Sequence, residues 1–332
     1  MLQVARVKAP GGIHTAAAHY ERMFRATEVG SAVLFHGPAA DSIGAREIIA
    51  DAFWRPGLRH AVRARAKGEP LVILVHSDLV LQRMKRLFAE AVIIAPCHSD
   101  KTKHKRGADL VVTLNPDQQR LVQEALPGAR VVELGNPFVP PGPRPEVSVA
   151  PSNTLRVNFV GRFEGFKDPL TLIEAFNRAA LAPDIELRLI GSGRMDREVS
   201  EAAARSAGKV TLAGWHARPF SLFNTHDILV LPSLWESYSY VIREALDLGV
   251  PIIASDIHVH RTALGDGAYG VLFPPGDSAA LAEALKCALS DVPLMREMAA
   301  KGGEAVRARY GALPFWNSMR GEIERVLATR TE

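Results

Sequence analysis

The sequence predicts an α/β protein built of two doubly wound, Rossmann-like domains with a cleft between them. Three observations carry this expectation. Short β-branched runs alternate with longer helical patterns twice over, the runs are continuously apolar, and a proline-rich stretch divides the two sets. Continuous apolarity marks strands covered on both faces, hence parallel sheets joined by crossover helices.

In the first half the strand candidates are LQVARV, SAVLFHG, LVILVH, AVIIAP, DLVVTL and RVVELG. In the second they are LRVNFVG, IELRLIG, KVTLAG, DILVLPS, PIIAS and GVLFPP. The stretch Asn136 to Asn153, NPFVPPGPRPEVSVAPSN, can form neither helix nor central strand and reads as the linker. The expected domains are therefore 1–145 and 146–311. The C-terminal pattern from Ala312 to Arg330 reads as a further helix. A length of 332 residues is too great for one small core and suits two domains.

Composition narrows the class. Two cysteines, Cys97 and Cys287, are too few for a disulfide framework. The opening MLQVARVKAPGG has no long apolar stretch, so no signal peptide is expected. No apolar run reaches the ~18 residues that span a bilayer, and a cytoplasmic location follows as the expectation. The net charge of +4 is uneven: residues 1–145 carry 20 Lys and Arg against 13 Asp and Glu, which leaves −3 for the remainder. That asymmetry bears on partners rather than on fold.

In open parallel sheets ligands bind beyond the carboxyl ends of strands, so functional side chains are sought there. The segment PSLWESYSYVIREALDLGVPIIAS (Pro232 to Ser255) carries Glu236 and Glu244 between two strands. In one reading Ser233 to Glu236 is a capping box and Glu244 a solvated helix position. In a second the pair is a hydrolase acid and base, which geometry disfavours. Eight helical residues separate the positions by ~12 Å of rise, beyond the ~5–9.5 Å of paired glycosidase carboxylates. In a third each carboxylate clamps a diol of one long ligand, with a helix start between them to receive phosphate. Cations for such a ligand follow another strand: Arg162 and Lys167 in VNFVGRFEGFKDP, a forked guanidinium and a point ammonium suited to a diphosphate.

VGRFEGFKDPLTLIEAF, LRLIGSGR, VTLAGW, HDILVLPSLWESYSYVIREALDLGVPIIASD and GVLFPPGD together resemble the retaining family 4 glycosyltransferases of GT-B fold, over nearly all of residues 155–290. The resemblance implies that Glu236 contacts the donor sugar, Glu244 the nucleotide ribose, and Arg162 and Lys167 the diphosphate. It makes Gly191 and Gly193 a turn beside the nucleotide, and Gly214 and Trp215 a backbone contact for the base. Trp215 reads equally as a packed strand-end aromatic. It makes Gly11 and Gly12 a loop close to donor phosphate and acceptor, and places His98 near the reacting sugar. It also implies that the C-terminal helix, 312–332, returns to the first domain. One departure stands out: Ser237, Tyr238 and Ser239 occupy positions that are small and glycine-rich in the family, which leaves the identity of the sugar open.

Competing patterns fare worse. In GSGRMD, Asp196 stands where a dinucleotide fingerprint needs its third glycine. Cys97 and His98 are neighbours in an extended segment and point to opposite sides, against a nucleophile dyad. His76 in LVILVHSDL reads as structural. No cluster has metal-ligand spacing, and no cofactor or essential metal is expected beside the nucleotide-sugar co-substrate. A sugar-nucleotide epimerase and a non-catalytic sugar-nucleotide scaffold of the same fold remain as alternatives.

The acceptor must be read from charge. Arg55 to Lys67, Gln82 to Arg86 and Lys101 to Arg106 are basic, without interleaved aromatic residues to stack bases, so nucleic acid is not expected. An anionic glycan, or a lipid-linked acceptor on an anionic membrane, fits this charge in cell-envelope polysaccharide or lipopolysaccharide assembly. Lys101, Lys103 and Lys105 are the expected membrane-facing cations. The stretch Asp78 to Glu90 mixes Leu79, Leu81, Met84, Leu87 and Phe88 with Arg83, Lys85 and Arg86, a composition open to peripheral attachment or to packing on the sheet.

Overall fold

A computed structural model describes residues 1–6, 12–36, 58–66, 68–99, 101–141 and 155–331. The chain forms two compact units, Met1–Pro141 with Ala308–Glu332, and Gly142–Arg307.

The first unit holds a six-stranded parallel sheet of β1 (Leu2–Arg6), β2 (Ala32–His36), β3 (Val72–Val75), β4 (Val92–Pro96), β5 (Leu110–Thr113) and β6 (Val131–Glu133). Its order is β2-β1-β3-β4-β5-β6, so the winding reverses between β1 and β3. Ile73, Leu74, Val75, Ile93 and Ile94 are buried on both faces of the sheet, which is why their runs show no alternation. The helices are α1 (Gly12–Ala26), α2 (Leu58–Ala66), α3 (Asp78–Leu87), α4 (Pro116–Ala125) and, from the chain end, α11 (Ala312–Thr331). The α4 start is set by Asn115, whose side chain accepts from the Gln118 N–H, with Pro116 at the first helical position. The α11 helix docks through Phe315 against Tyr20 and Trp316 against Phe24, ring centroids 5.8 and 5.9 Å apart. Arg130 to Glu322 (2.9 Å) and Arg330 to Asp109 (2.8 Å) tie it further.

The second unit repeats the plan with β7 (Arg156–Val160), β8 (Glu186–Ile190), β9 (Lys209–Gly214), β10 (Ile228–Leu231), β11 (Ile252–Ser255) and β12 (Val271–Phe273). Its order is β12-β11-β10-β7-β8-β9, all parallel, and the reversal lies between β7 and β10. The helices are α5 (Pro169–Ala179), α6 (Asp196–Ala204), α7 (Tyr240–Asp247), α8 (His258–Ala263), α9 (Ser278–Ser290) and α10 (Val292–Tyr310). One apolar cluster built on Phe159, Leu172, Leu187, Val230, Ile253 and Leu281 anchors this sheet to its helices.

Two expectations for the basic half need correction. Lys105 is 1% exposed, and its ammonium donates to the Pro96 carbonyl at 3.2 Å, so it faces no membrane. In α3 the apolar residues Leu81 and Met84, with Phe88 just beyond, are fully buried against the sheet, which removes most of the face that peripheral attachment would use. Among the other basic residues Arg63 pairs with Glu90 at 2.5 Å and Lys85 with Asp109 at 3.9 Å. Residues 55–57 and 67 of the first basic run, and most of the expected linker, lie outside the described residues. Among the described residues no helix is long and apolar enough to cross a membrane.

Candidate active site

The reversal between β7 and β10 places two strand ends side by side in the second unit, where a parallel sheet offers an open crevice. After β7 the chain passes through Gly161, Arg162 and Phe163, and a close backbone contact fixes that path. Gly191 has φ +152°, and a Cβ there would lie 1.8 Å from the Gly161 carbonyl oxygen; one on Gly193 would lie 2.4 Å from that of Phe163. Only glycine admits such an approach. The Phe163 N–H donates to Ser192 O (3.1 Å), and Met195 N–H to Phe163 O (3.0 Å). Asp196, the residue that spoils the dinucleotide fingerprint, accepts from the Gly193 N–H at 2.7 Å and so closes the turn. Arg162 is left exposed at the strand end, its guanidinium 5.6 Å from the Phe166 ring centre.

The short 3-10 turn Gly165–Lys167 follows and ends on Asp168, which has φ 50° and caps α5 by accepting from Thr171 N–H. Beyond β10, the N–H groups of Leu234 and Trp235 donate to the Phe166 carbonyl at 2.8 and 3.4 Å. That contact brings the two loops together and sets Lys167 Nζ 2.7 Å from Glu236 Oε1. The Glu236 side chain is 6% exposed. It also accepts from the Ser233 hydroxyl at 3.0 Å and meets His260 Nε2 at 3.2 Å. His260 is fully buried, with Nδ1 3.1 Å from the Ser255 carbonyl. The Ser255 hydroxyl donates to Ser233 O at 2.5 Å, linking the ends of β10 and β11. Burial opposes charge on Glu236, but the Lys167 ammonium and His260 outweigh it and hold the carboxyl far below its ordinary value.

The helix between the glutamates begins later than the capping-box reading expects. Ser233 donates to Glu236 within a loop, and α7 starts at Tyr240 after Ser239. Glu236 therefore precedes the helix by four residues while Glu244 lies in its second turn, so the 12 Å helical spacing does not apply. Tyr238 and Ser239 have internal work: the Arg243 guanidinium sits 3.7 Å above the Tyr238 ring and donates to Ser239 O at 2.8 Å. Ser237 and Glu244 are partly buried. At the end of β9, Gly214 has φ +70° and its carbonyl accepts from the Gly191 N–H at 2.8 Å. Trp215 is 66% exposed, which overturns the packed-aromatic reading.

In the first unit Gly12 opens α1, with nothing within 4 Å of where its Cβ would be; Gly11 lies outside the described residues. His76 follows β3 and His98 follows β4. Their rings stack with centroids 5.2 Å apart, and His76 Nδ1 is 3.0 Å from His98 Nε2. Cys97 is instead buried among Val111, Val122 and Leu126, so the two neighbours part as expected.

Sequence reasoning missed His260 as a partner of Glu236 and Ser255 as the residue that ties Ser233 and His260 together, and it read Ser233 as a helix cap rather than as a donor to the carboxylate. The available signal was polar residues closing two adjacent strand candidates, DILVLPS and PIIAS, in a sheet whose switch point lies beside them.

Residues 154–291 match the family model of the glycosyl transferases group 1. The chain is 31% identical to the phosphatidyl-myo-inositol mannosyltransferase of Mycobacterium leprae over 264 residues, 73% of this chain and 68% of that one. It is 27% identical to the 2-deoxystreptamine N-acetyl-D-glucosaminyltransferase of Streptomyces fradiae, over 78% and 69%. In fold it resembles Anabaena HepE, solved with UDP and glucose, with a TM-score of 0.76 at 16% identity over 97% of this chain and 98% of that one. The strand orders, the strand-end site and these relationships together show that the chain belongs to the group 1, family 4, glycosyltransferases of GT-B fold.

Proposed function

We propose that the chain is a retaining enzyme that transfers a sugar from a nucleoside-diphosphate sugar to an anionic glycan or lipid-linked acceptor of the cell envelope. The observation that carries the donor assignment is the buried Lys167–Glu236 pair beside exposed Arg162 at the strand reversal. Breaking the bond from the anomeric carbon to the diphosphate leaves negative charge on phosphate oxygen. Arg162, Lys167 and the first N–H groups of α7 offset it without a metal. Glu236, held ionised, accepts from sugar hydroxyls, and Glu244 does the same for the ribose. Trp215 and Gly214 border the base. Closure of the site around donor and acceptor keeps water from the anomeric carbon.

Charge supports the acceptor class, since residues 1–145 carry an excess of seven positive charges. Relatives support it too: by name, one acts on phosphatidyl-myo-inositol and another on D-inositol 3-phosphate, both phosphate-bearing polyols. The relatives' names are transferase names, and no observation favours the epimerase or the scaffold.

Melting curves with UDP, GDP, ADP and CMP and their sugars identify the donor, because a ligand of the folded state raises Tm. Product analysis with that donor follows, against phosphoinositides and anionic glycans. A donor that binds and is never transferred to an acceptor refutes the transferase reading. For contact with the inner face of a membrane, co-sedimentation with anionic vesicles is expected at low salt. It is expected to disappear in high salt and on charge reversal at the exposed Lys101 and Arg106.

A further inference from the structure

Four polar side chains run in single file through the first unit, from α1 across β1 to the ends of β3 and β4. Gln3 Nε2 donates to Glu21 Oε2 at 3.1 Å. Gln3 Oε1 lies 3.0 Å from His76 Nε2, and His76 Nδ1 lies 3.0 Å from His98 Nε2. Gln3, Glu21 and His76 are 0%, 1% and 1% exposed, so water does not compete for the two bonds that join these three. The Ser31 hydroxyl also donates to Glu21 (3.1 Å), and the Tyr20 ring packs edge-on against His76 at 5.3 Å.

The direction of every bond follows from the first. A carboxylate only accepts, so the Gln3 amide turns its NH2 to Glu21 and its oxygen to His76. That oxygen also only accepts, so His76 carries its proton on Nε2. In a neutral ring Nδ1 is then a lone pair, which must accept from His98 Nε2–H. His98, neutral in turn, keeps its lone pair on Nδ1. Both rings are neutral at physiological pH: burial, then the Lys105 charge, pushes His76 down to about 3, and burial, His76 and Lys105 hold His98 well below its usual range. Lys105 itself is engaged with the Pro96 carbonyl.

We infer that Glu21, Gln3 and His76 are a buried positioning chain that fixes His98 as its Nε2–H tautomer and reserves its Nδ1 as an acceptor for a substrate hydroxyl. Burying this many polar groups in a sheet interior costs stability unless each is satisfied, and apolar residues would fill the same space without that cost. The fixed tautomer is what the chain adds. The hydroxyl partner rests on the proposed transfer reaction; the tautomer does not.

Two-bond proton–nitrogen correlation spectra of the whole chain, labelled with 15N-histidine at pH 7.5, test it directly. His76→Gln and His98→Gln assign the two rings. Both are expected in the neutral Nε2–H form. An Nδ1–H form or a charged ring at His98 overturns the inference, whatever the enzyme transfers. Gln3→Met removes the acceptor for His76 and is expected to turn the His98 signal into a mixture of tautomers; an unchanged single form there also overturns it. Where that variant does not fold, the spectrum of the unaltered chain decides. Addition of UDP-glucose or GDP-mannose, each compared with UDP or GDP, is expected to move Nδ1 of His98 with the sugar nucleotide alone. No movement with a sugar nucleotide that raises Tm removes the hydroxyl contact and leaves the tautomer standing. If no sugar nucleotide binds, the transferase reading fails, and the hydroxyl contact with it.

Discussion

Replacing Lys167 by methionine keeps the bulk of the side chain and removes the charge from a pair that is 15% and 6% exposed. Removing one partner of a buried ion pair costs about 3–5 kcal/mol, because the other charge is left without compensation. Glu236 retains the Ser233 hydroxyl and His260, which places the expected loss near the lower end, about 3 kcal/mol. For a unit the size of Gly142–Arg307, where 1 kcal/mol moves Tm by roughly 2–4 °C, the second unit should melt about 6–12 °C earlier. The pH dependence carries a sign. In the unaltered chain the Glu236 carboxyl is depressed, so its contribution is present above the ordinary value of 4.5 and fades as pH falls below it. Without the ammonium, burial acts with less opposition and raises the folded carboxyl, so the deficit of Lys167→Met should be largest at pH 7 and shrink by pH 4. Lys167→Met with Glu236→Gln leaves no buried charge and should be more stable than Lys167→Met alone. Calorimetry of the unaltered chain and the two variants at both pH values provides the check. An equal deficit at pH 7 and pH 4, or one under about 1 kcal/mol, means the pair is not a buried couple.

Arg162→Ala gives up only an exposed contact with Phe166, worth about 0.5–1 kcal/mol. It should melt within a few degrees of the parent yet lose roughly 100-fold or more in kcat/KM, measured with the donor found by melting. Glu244→Ala should weaken binding of the bare nucleoside diphosphate in calorimetry, whereas Glu236→Ala should spare it and lower turnover; equal losses reverse the two assignments. Gly191→Ala, with its Cβ 1.8 Å from a backbone oxygen, should unfold or strongly destabilise the second unit, whereas Gly12→Ala meets no atom within 4 Å and should leave Tm unchanged. Reduced donor affinity in Gly12→Ala at unchanged Tm would mark a close approach by ligand.

The twelve strands among the described residues and their parallel pairing were legible because buried parallel strands leave runs of Val, Ile and Leu that need no partner to be seen. Arg162, Lys167 and Glu236 drew notice for a related reason: they are charged residues in the loops that follow such runs, whereas Glu244, inside α7, stood out only by its spacing from Glu236 and the family resemblance. What escaped depends on contacts between distant segments. His260 is 24 residues from Glu236 and opens onto it only because β11 lies beside β10. Lys105 carries a charge that reads as surface, yet its 3-10 turn folds back to a carbonyl nine residues earlier. The helix start was misplaced because a Ser-x-x-Glu spacing has the same form whether the serine caps a helix or holds a carboxylate in a loop.

The first unit is discontinuous: its last helix, α11, comes from residues 312–331, after the whole second unit has been made. At ~5–20 residues per second, roughly 10–40 s of synthesis separate Pro141 from Thr331, the last residue of α11. During that interval Tyr20 and Phe24, buried in the finished protein, await the rings of Phe315 and Trp316. The unit that leaves the ribosome first is therefore the last to be completed. A chain that stops before Ala312 should yield a finished second unit joined to an open first one, a species for chaperones and proteases to recognise rather than a shortened enzyme.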